Sequence, residues 1–299
     1  MGNMGKKNLF LLATGLLVVL IIAISAVMLA QGPRTSSVEL IEKTAGGKLK
    51  VNDMHQGEMT IPDYNIPLCT YNPQNFKEDK GVVTYEGGKS FMGVNVSWKM
   101  GDIDWQAVAG SGVDFALIRV GHRESGKGRI MLDPKFEENM QGAADAGLPV
   151  GVYFYSKAVT DAEADEEAAF VIEQIRMYRG TCPIAIYWEY DRKDNGEVDE
   201  KSRTVRCNGD QVTGFLQTFC KKIKSIGFDP AFYCTKDMGY NTLDLSRLSE
   251  YDMWYTEQQA APSFYYDYEM WQYTKDAEVP GIPEKVPVTL CLKEYEGLK

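Results

Sequence analysis

From Phe91 onward, short apolar runs alternate with stretches in which apolar residues recur three and four positions apart. Gly93-Val94-Asn95-Val96-Ser97 reads as a strand, Gly101 to Trp105 as a short amphipathic turn of helix, and Val113 to Val120 as the next strand. Pro134–Ala146 is predicted as a helix opened by proline and stopped by Gly147, with Pro149–Tyr155 the strand after it. Asp161–Tyr178, acidic at its start and carrying Ala, Phe, Val and Ile at helical spacing, reads as a long amphipathic helix. Pro183–Glu189 follows as a strand, Gly209–Ile226 as a helix ended by Gly227, and Ala231–Cys234 as a strand. Asp252–Thr256, Tyr268–Thr274 and Val286–Leu292 read as strands with little helix between them. Repeated βα units with a strand-rich end predict an α/β domain, a mostly parallel barrel whose last third is irregular.

The pattern differs before this domain. Leu9 to Ala30 is an uncharged, almost wholly apolar run of 22 residues behind Lys6-Lys7, and about 20 such residues cross a bilayer. It is read as an uncleaved signal anchor: residues 1–8 a short cytoplasmic tail, 9–30 a single transmembrane span, the remainder extracytoplasmic. A cleaved signal peptide is the alternative, against which stand the length of the run and the poor cleavage site Met28-Leu29-Ala30. Arg34, Lys43, Lys48 and Lys50 outnumber Lys6 and Lys7, yet long domains translocate largely regardless of charge. Residues 31–90, rich in Gly, Pro, Asn, Lys and Glu, are predicted as an extended or partly β stalk, with Val82–Tyr85 a short strand docking on the main domain at 91–299.

A net charge of −10 lacks the basic footprint that nucleic acid requires, so no nucleic-acid partner is expected. Cys69, Cys182, Cys207, Cys220, Cys234 and Cys291 show no CxxC pair or metal-ligand spacing, and the chain has two histidines, His55 and His122. No metal and no cofactor are therefore expected, and His122 reads as a rim residue. Cys220, Cys234 and Cys291 lie in apolar segments and read as buried small residues. Asn95-Val96-Ser97 matches a glycosylation sequon but sits in a core strand, where modification is not expected.

Alternation along Pro183–Glu189 turns Ala185, Tyr187 and Glu189 one way and Ile184, Ile186 and Trp188 the other. Glu189 thus falls at a strand's C-terminal end, where barrels of this kind carry their active sites. Four blocks in order, Gly93–Ser97 with its sequel to Val120, Gly147–Ser156, Pro183–Glu189, and Met270–Thr274 with Val279–Ile282, resemble the signature segments of the family 25 glycoside hydrolases, the lysozymes (muramidases) of bacterial peptidoglycan. The resemblance spans about Gly93 to Leu292 and implies a flattened, incomplete TIM-like β/α barrel.

It further implies that Glu189 matches the general acid that protonates the glycosidic oxygen. The family's aspartate two residues earlier is replaced by Tyr187, another aspartate by Asn95, and a third by Pro287, within Val286-Pro287-Val288-Thr289. Three of four expected acidic positions are thus degenerate. Tyrosine donates a hydrogen bond but supplies no full negative charge to a developing oxocarbenium centre. Asp191, Asp194, Glu257 and Glu269 are the carboxylates available as relocated partners, although each also reads as a solvated surface group. Tyr153, Tyr155, Trp254 and Trp271 are strand aromatics able to stack on sugars or to pack the core, and Arg119 could reach a carboxylate or N-acetyl carbonyl. Trp98 departs from the family, which commonly has its aromatic at the Lys99 position.

Three readings follow. The first is a peptidoglycan-binding pseudoenzyme held at the bacterial cell membrane. The second is an active muramidase, cleaving the MurNAc-GlcNAc β-1,4 bond with Glu189 as acid and a relocated carboxylate or substrate assistance. The third is a structural module whose cleft Tyr187 occludes.

Overall fold

In the computed structural model residues 35–178 and 182–298 are described; the expected tail and span at 1–30 lie outside them. Among the described residues no helix is long and apolar enough to cross a membrane. Residues 36–90, expected as a stalk, are folded. Strands β1 (Val38–Thr44), β2 (Lys48–Asp53) and β3 (Gly57–Pro62) form an antiparallel meander, and β4 (Phe76–Asp79) with β5 (Val82–Tyr85) a hairpin. Val38, Leu49, Val51, Ile61, Phe76 and Val83 are buried in the same apolar layer as Trp271, Tyr266 and Tyr268 of the later chain. Ser36–Lys299 accordingly forms one compact unit. β2 buries three side chains and every other early strand only one, too few to distinguish the segment from a linker by composition, and the surface they are buried against comes from residues some 200 positions away.

The main domain runs β6 (Phe91–Val96), α1 (Trp105–Gly110), β7 (Phe115–Arg123), β8 (Ile130–Leu132), α2 (Phe136–Asp145), β9 (Val150–Ser156), α3 (Asp161–Ile175), β10 (Ile184–Trp188), α4 (Gly209–Ser225), β11 (Pro230–Thr235), β12 (Asp252–Thr256), β13 (Met270–Ala277) and β14 (Val286–Cys291). These are close to the segments expected from the sequence. Strand order β6-β14-β13-β12-β11-β10-β9-β7 closes through a parallel β6–β7 pairing, giving an eight-stranded barrel with β8 appended to β7. All ring strands are parallel except β14, which is antiparallel to both neighbours. The ring is therefore complete, and it is the helical layer that is incomplete. After β11 the described chain carries only short π and 3-10 turns.

The N-terminal segment covers much of the wall that lacks helices. Phe76 stands edge-on to Trp271 at 5.2 Å, Tyr71 packs on Tyr268 at 5.3 Å and Tyr64 on Tyr266 at 5.3 Å. The Tyr64 hydroxyl donates to the carbonyls of Gly239 (3.1 Å) and Leu243 (2.6 Å). Buried Asp53 pairs with Lys236 at 2.8 Å, and Lys236 pairs with Glu257 at 2.8 Å. Inside the ring, Phe91, Phe115, Leu117, Ala185, Ala231, Tyr233, Trp254, Met270 and Cys291 fill the interior as a second apolar cluster. Cys220 and Cys234 are buried in the outer layer.

The base of the barrel, at the N-terminal ends of β12 and β13, holds Asp252, Glu269 and Lys293. Lys293 pairs with Asp252 at 2.8 Å, and the Met253 amide donates to Glu269 at 2.6 Å. Burial, then the neighbouring Asp252 carboxylate, pushes the Glu269 carboxyl up to about 7. A folded-state value raised above the unfolded one means that the folded protein binds the extra proton, so stability falls as pH rises from about 4.5 through 7. Glu269→Gln keeps the acceptor for Met253 and removes that penalty. It should raise stability by about 1–3 kcal/mol at pH 8 and by little at pH 4, measured by urea denaturation at both. A chain cut to begin at Phe91 strips Trp271, Tyr268 and Tyr266 of their partners. Each such aromatic is worth about 1.5–3 kcal/mol of burial, so this fragment should melt about 10 °C or more below the chain beginning at Ser36, if it folds at all, as scanning calorimetry would show.

Candidate active site

β10 delivers alternate side chains to the interior, and the chain leaves it at half-buried Glu189. Trp188 turns outward, fully buried, its indole N–H on the Ala158 carbonyl at 2.8 Å. On the inward side, the Tyr155 hydroxyl donates to Glu189 Oε1 at 2.6 Å and the Tyr187 hydroxyl to Oε2 at 3.3 Å. Both phenols are held protonated. Burial and then the Glu189 charge push Tyr155 well above the usual tyrosine range, and burial, Tyr233 and Glu189 do the same for Tyr187. Tyr187 lies flat on Tyr233, with centroids 3.7 Å apart and planes at 17°, and stands edge-on to Tyr155 at 5.1 Å and to Trp254 at 6.1 Å. Tyr153 meets the Trp254 edge at 5.7 Å.

Lys157, two residues past Tyr155 on the same strand parity, is 1% exposed. Its ammonium donates to the Glu189 carbonyl at 2.8 Å, pairs with Asp191 at 3.0 Å and lies 4.7 Å from the Tyr155 ring centre. It pins the turn that carries Glu189. Asp191 also accepts from Ser125 at 2.7 Å, so this nominated spare carboxylate is already paired. Glu257 is engaged by Lys236, the Ser263 amide at 2.6 Å and the Tyr255 hydroxyl at 3.1 Å. Glu269 lies at the opposite end of the barrel, and Asp194 is exposed in a turn.

Asn95 is 3% exposed, and the side chains it hydrogen-bonds are neutral. Its amide donates to Gln272 Oε1 at 3.0 Å and lies 2.9 Å from Thr289 Oγ1, whose hydroxyl donates back to Asn95 Oδ1 at 3.1 Å. The Trp254 indole donates to Thr289 at 3.0 Å, and Gln272 Nε2 to Thr256 at 3.2 Å. Pro287 lies on β14 two positions from Thr289, partly buried, and it is Thr289 that supplies the inward polar group.

Arg119 is committed: its Nε and Nη2 both lie 2.7 Å from Oδ2 of fully buried Asp133. Asp133 also accepts the Trp98 and Lys135 amides, at 3.1 and 3.0 Å. The β7 bulge between Arg119 and Gly121 resets the strand's parity, so His122 pairs with Tyr155 and shares its face. Trp271 does not join the cleft. Met270 and Gln272 take the inward positions of β13, and Trp271 is buried on the outer wall beneath Phe76, its indole donating to the Glu257 carbonyl at 2.9 Å. Trp254 is 1% exposed and packs edge-on against Tyr153, Tyr187 and Tyr233 in the barrel interior, whereas Tyr153 and Tyr155 are half-buried. Lys157, Tyr233, Asp133, Gln272 and Thr289 went unnamed in the sequence reading, although strand alternation from Tyr155, Ala231 and Met270 points to Lys157, Tyr233 and Gln272.

Placing a carboxylate at position 95 sets a charge among neutral hydrogen-bond partners, one of which, Thr289, both donates to and accepts from Asn95. Asn95→Asp should cost about 1–3 kcal/mol at neutral pH and less in acid, where the carboxyl is protonated. Thermal melts of the variant at pH 4 and pH 8 measure the difference.

The sequence model of glycosyl hydrolases family 25 matches residues 94–282, more than half of the chain. The uncharacterized protein YegX of Escherichia coli is 25% identical over 239 residues, covering 78% of this chain and 79% of its own. An autolytic lysozyme of Clostridium acetobutylicum is 24% identical over 191 residues, 64% of this chain and 52% of that protein. Among solved structures, the autolysin LytC of Streptococcus pneumoniae in complex with a synthetic peptidoglycan ligand superposes with a TM-score of 0.57 at 21% identity, over 82% of this chain and 56% of that one. A family 25 glycosyl hydrolase of Bacillus anthracis does so with a TM-score of 0.57 at 19% identity, over 71% and 92%. At these identities the superpositions speak to the barrel alone, whereas the family model matches the segments that build the Glu189 site. The chain belongs to glycosyl hydrolases family 25.

Proposed function

We propose that this chain is a membrane-anchored, extracytoplasmic, peptidoglycan-directed member of its family that engages glycan strands and has lost most or all muramidase activity. The observation that carries the reading is the environment of Glu189. Both of its oxygens accept from protonated phenols, and one of those phenols, Tyr187, occupies the sequence position of the family's aspartate. To protonate a leaving oxygen, Glu189 would have to hold a proton and present it outward, and the two phenols instead engage it as an acceptor. A carboxylate that orients an N-acetyl group and offsets positive charge at the anomeric carbon is missing at positions 95, 187 and 287. Asp191 and Glu257, two of the candidate substitutes, are bound to Lys157 and Lys236. Removing one electrostatic stabiliser costs about 10²–10³ in rate, and the losses here fall within a single catalytic unit.

Glycan engagement is supported by the half-buried phenols of Tyr153, Tyr155 and Tyr187, which combine ring faces with hydroxyls. The relatives named for lysozyme and autolysin activity, and the LytC complex with a peptidoglycan ligand, suggest the same substrate. The apolar run at 9–30 supports the anchor. The test is the full chain incubated with purified peptidoglycan, beside its Glu189→Gln variant. Co-sedimentation of both proteins with no muropeptide release is the expected result. Release by the native chain that disappears in Glu189→Gln would overturn the pseudoenzyme reading in favour of an active muramidase, and absence of binding by either protein would favour the occluded module.

A further inference from the structure

The Glu189 site occupies one side of the barrel mouth, and the β6–β7–β8 side carries groups it does not use. Trp98, in the turn after β6, is 49% exposed although its backbone is fixed, its amide lying 3.1 and 3.2 Å from the two oxygens of Asp133. Its indole thus offers a half-exposed aromatic face on an anchored turn at the mouth. Beside it Lys99 is exposed, and among the described residues no carboxylate lies within ion-pairing range of its ammonium. In a chain of net charge −10, an unpaired cation at the mouth is a distinct local feature. Across β7, His122 faces the mouth with Tyr155, its Nδ1 buried and without a hydrogen-bond partner. Burial, then the Arg119 charge, lowers its basicity, so at neutral pH the ring is an uncharged donor and acceptor. Met131 pairs with His122 across the β7–β8 hairpin, shares its face and is 39% exposed.

We propose that Trp98, Lys99, His122 and Met131 form a subsite for the carboxylate-bearing peptide stem of peptidoglycan, adjoining the glycan cleft at Glu189. This rests on the peptidoglycan-directed reading above and deepens it. The stem is short, bears several carboxylates and offers alanyl methyl groups between them. An ammonium with a neighbouring neutral donor suits the carboxylates, and an indole face with a thioether suits the methyls. The lactyl group of the glycan itself carries the same carboxylate chemistry once its peptide is removed, and the experiment separates the two sources.

The full chain is titrated calorimetrically with glycan strands bearing stem peptides and with the same strands stripped by an amidase. The peptide-bearing strands are expected to bind about tenfold more tightly. Lys99→Glu and Trp98→Ala should each abolish that advantage and leave affinity for stripped strands unchanged. Both positions are exposed, so the variants keep the fold. Equal affinity for the two ligands in the native chain, or an advantage that survives both substitutions, overturns the subsite while leaving the glycan-binding reading intact. Loss of affinity for stripped strands in Lys99→Glu assigns the cation to the lactyl carboxylate and overturns the stem assignment. Failure of both ligands to bind the native chain defeats the peptidoglycan reading and the subsite with it.

Discussion

Closing eight strands into a ring forces every second side chain of each strand into one shared interior, and here the ring closes through β14, antiparallel between β13 and β6. That constraint decides which residues meet. Asn95 from β6, Gln272 from β13 and Thr289 from β14 are far apart in sequence and are brought into one hydrogen-bonded network by register. The same alternation stacks Tyr187 on Tyr233 across the β10–β11 pair and sets Trp254 edge-on to both. An interior of this kind tolerates polar groups only when they satisfy one another. With asparagine at position 95 and tyrosine at position 187, this interior is built around neutral partners.

The outer wall obeys a different requirement. A barrel strand has two faces, and the outward one must be covered whether or not a helix is available. Up to β11 the covering is done by α1 to α4. Beyond it the short connections leave Trp271, Tyr266 and Tyr268 facing outward, and the meander and hairpin of residues 36–85 pack on them. Asp53 joins the early sheet to Lys236 and through it to Glu257, at the C-terminal ends of β11 and β12. Folding of the early segment and integrity of the site-bearing end are thereby coupled.

This division explains what could be read from sequence. The segments from Gly93 to Leu292 announce themselves because each strand and helix carries its own periodicity, and Glu189 was legible from alternation and strand position without any partner in view. Tyr153 and Tyr155, two residues apart on one strand, share a face by the same rule, but which face it is needs the neighbouring strands. Trp271, open between sugar stacking and core packing in the sequence, lies in the outer core, because a strand aromatic is ambiguous until the neighbouring parity is known and Met270 and Gln272 take the inward positions. The stalk was misread because its burial is supplied by distant chain. His122 was recognised as a rim residue, but its sharing of a face with Tyr155 depends on a bulge, an irregularity that leaves no mark in hydropathy.

Charge completes the argument. A retaining or substrate-assisted glycosidase needs uncompensated negative charge facing the anomeric centre. At this end of the barrel several ionised groups are paired within the protein: Arg119 with Asp133, Lys157 with Asp191, Lys236 with Asp53 and Glu257. The Glu189 oxygens are taken by phenols. Lys99 stands opposite as an unpaired cation. On the proposed reading, the aromatic faces and neutral donors of this mouth, with the exposed Lys99 ammonium, favour holding an anionic, partly apolar ligand in its ground state over stabilising an oxocarbenium ion.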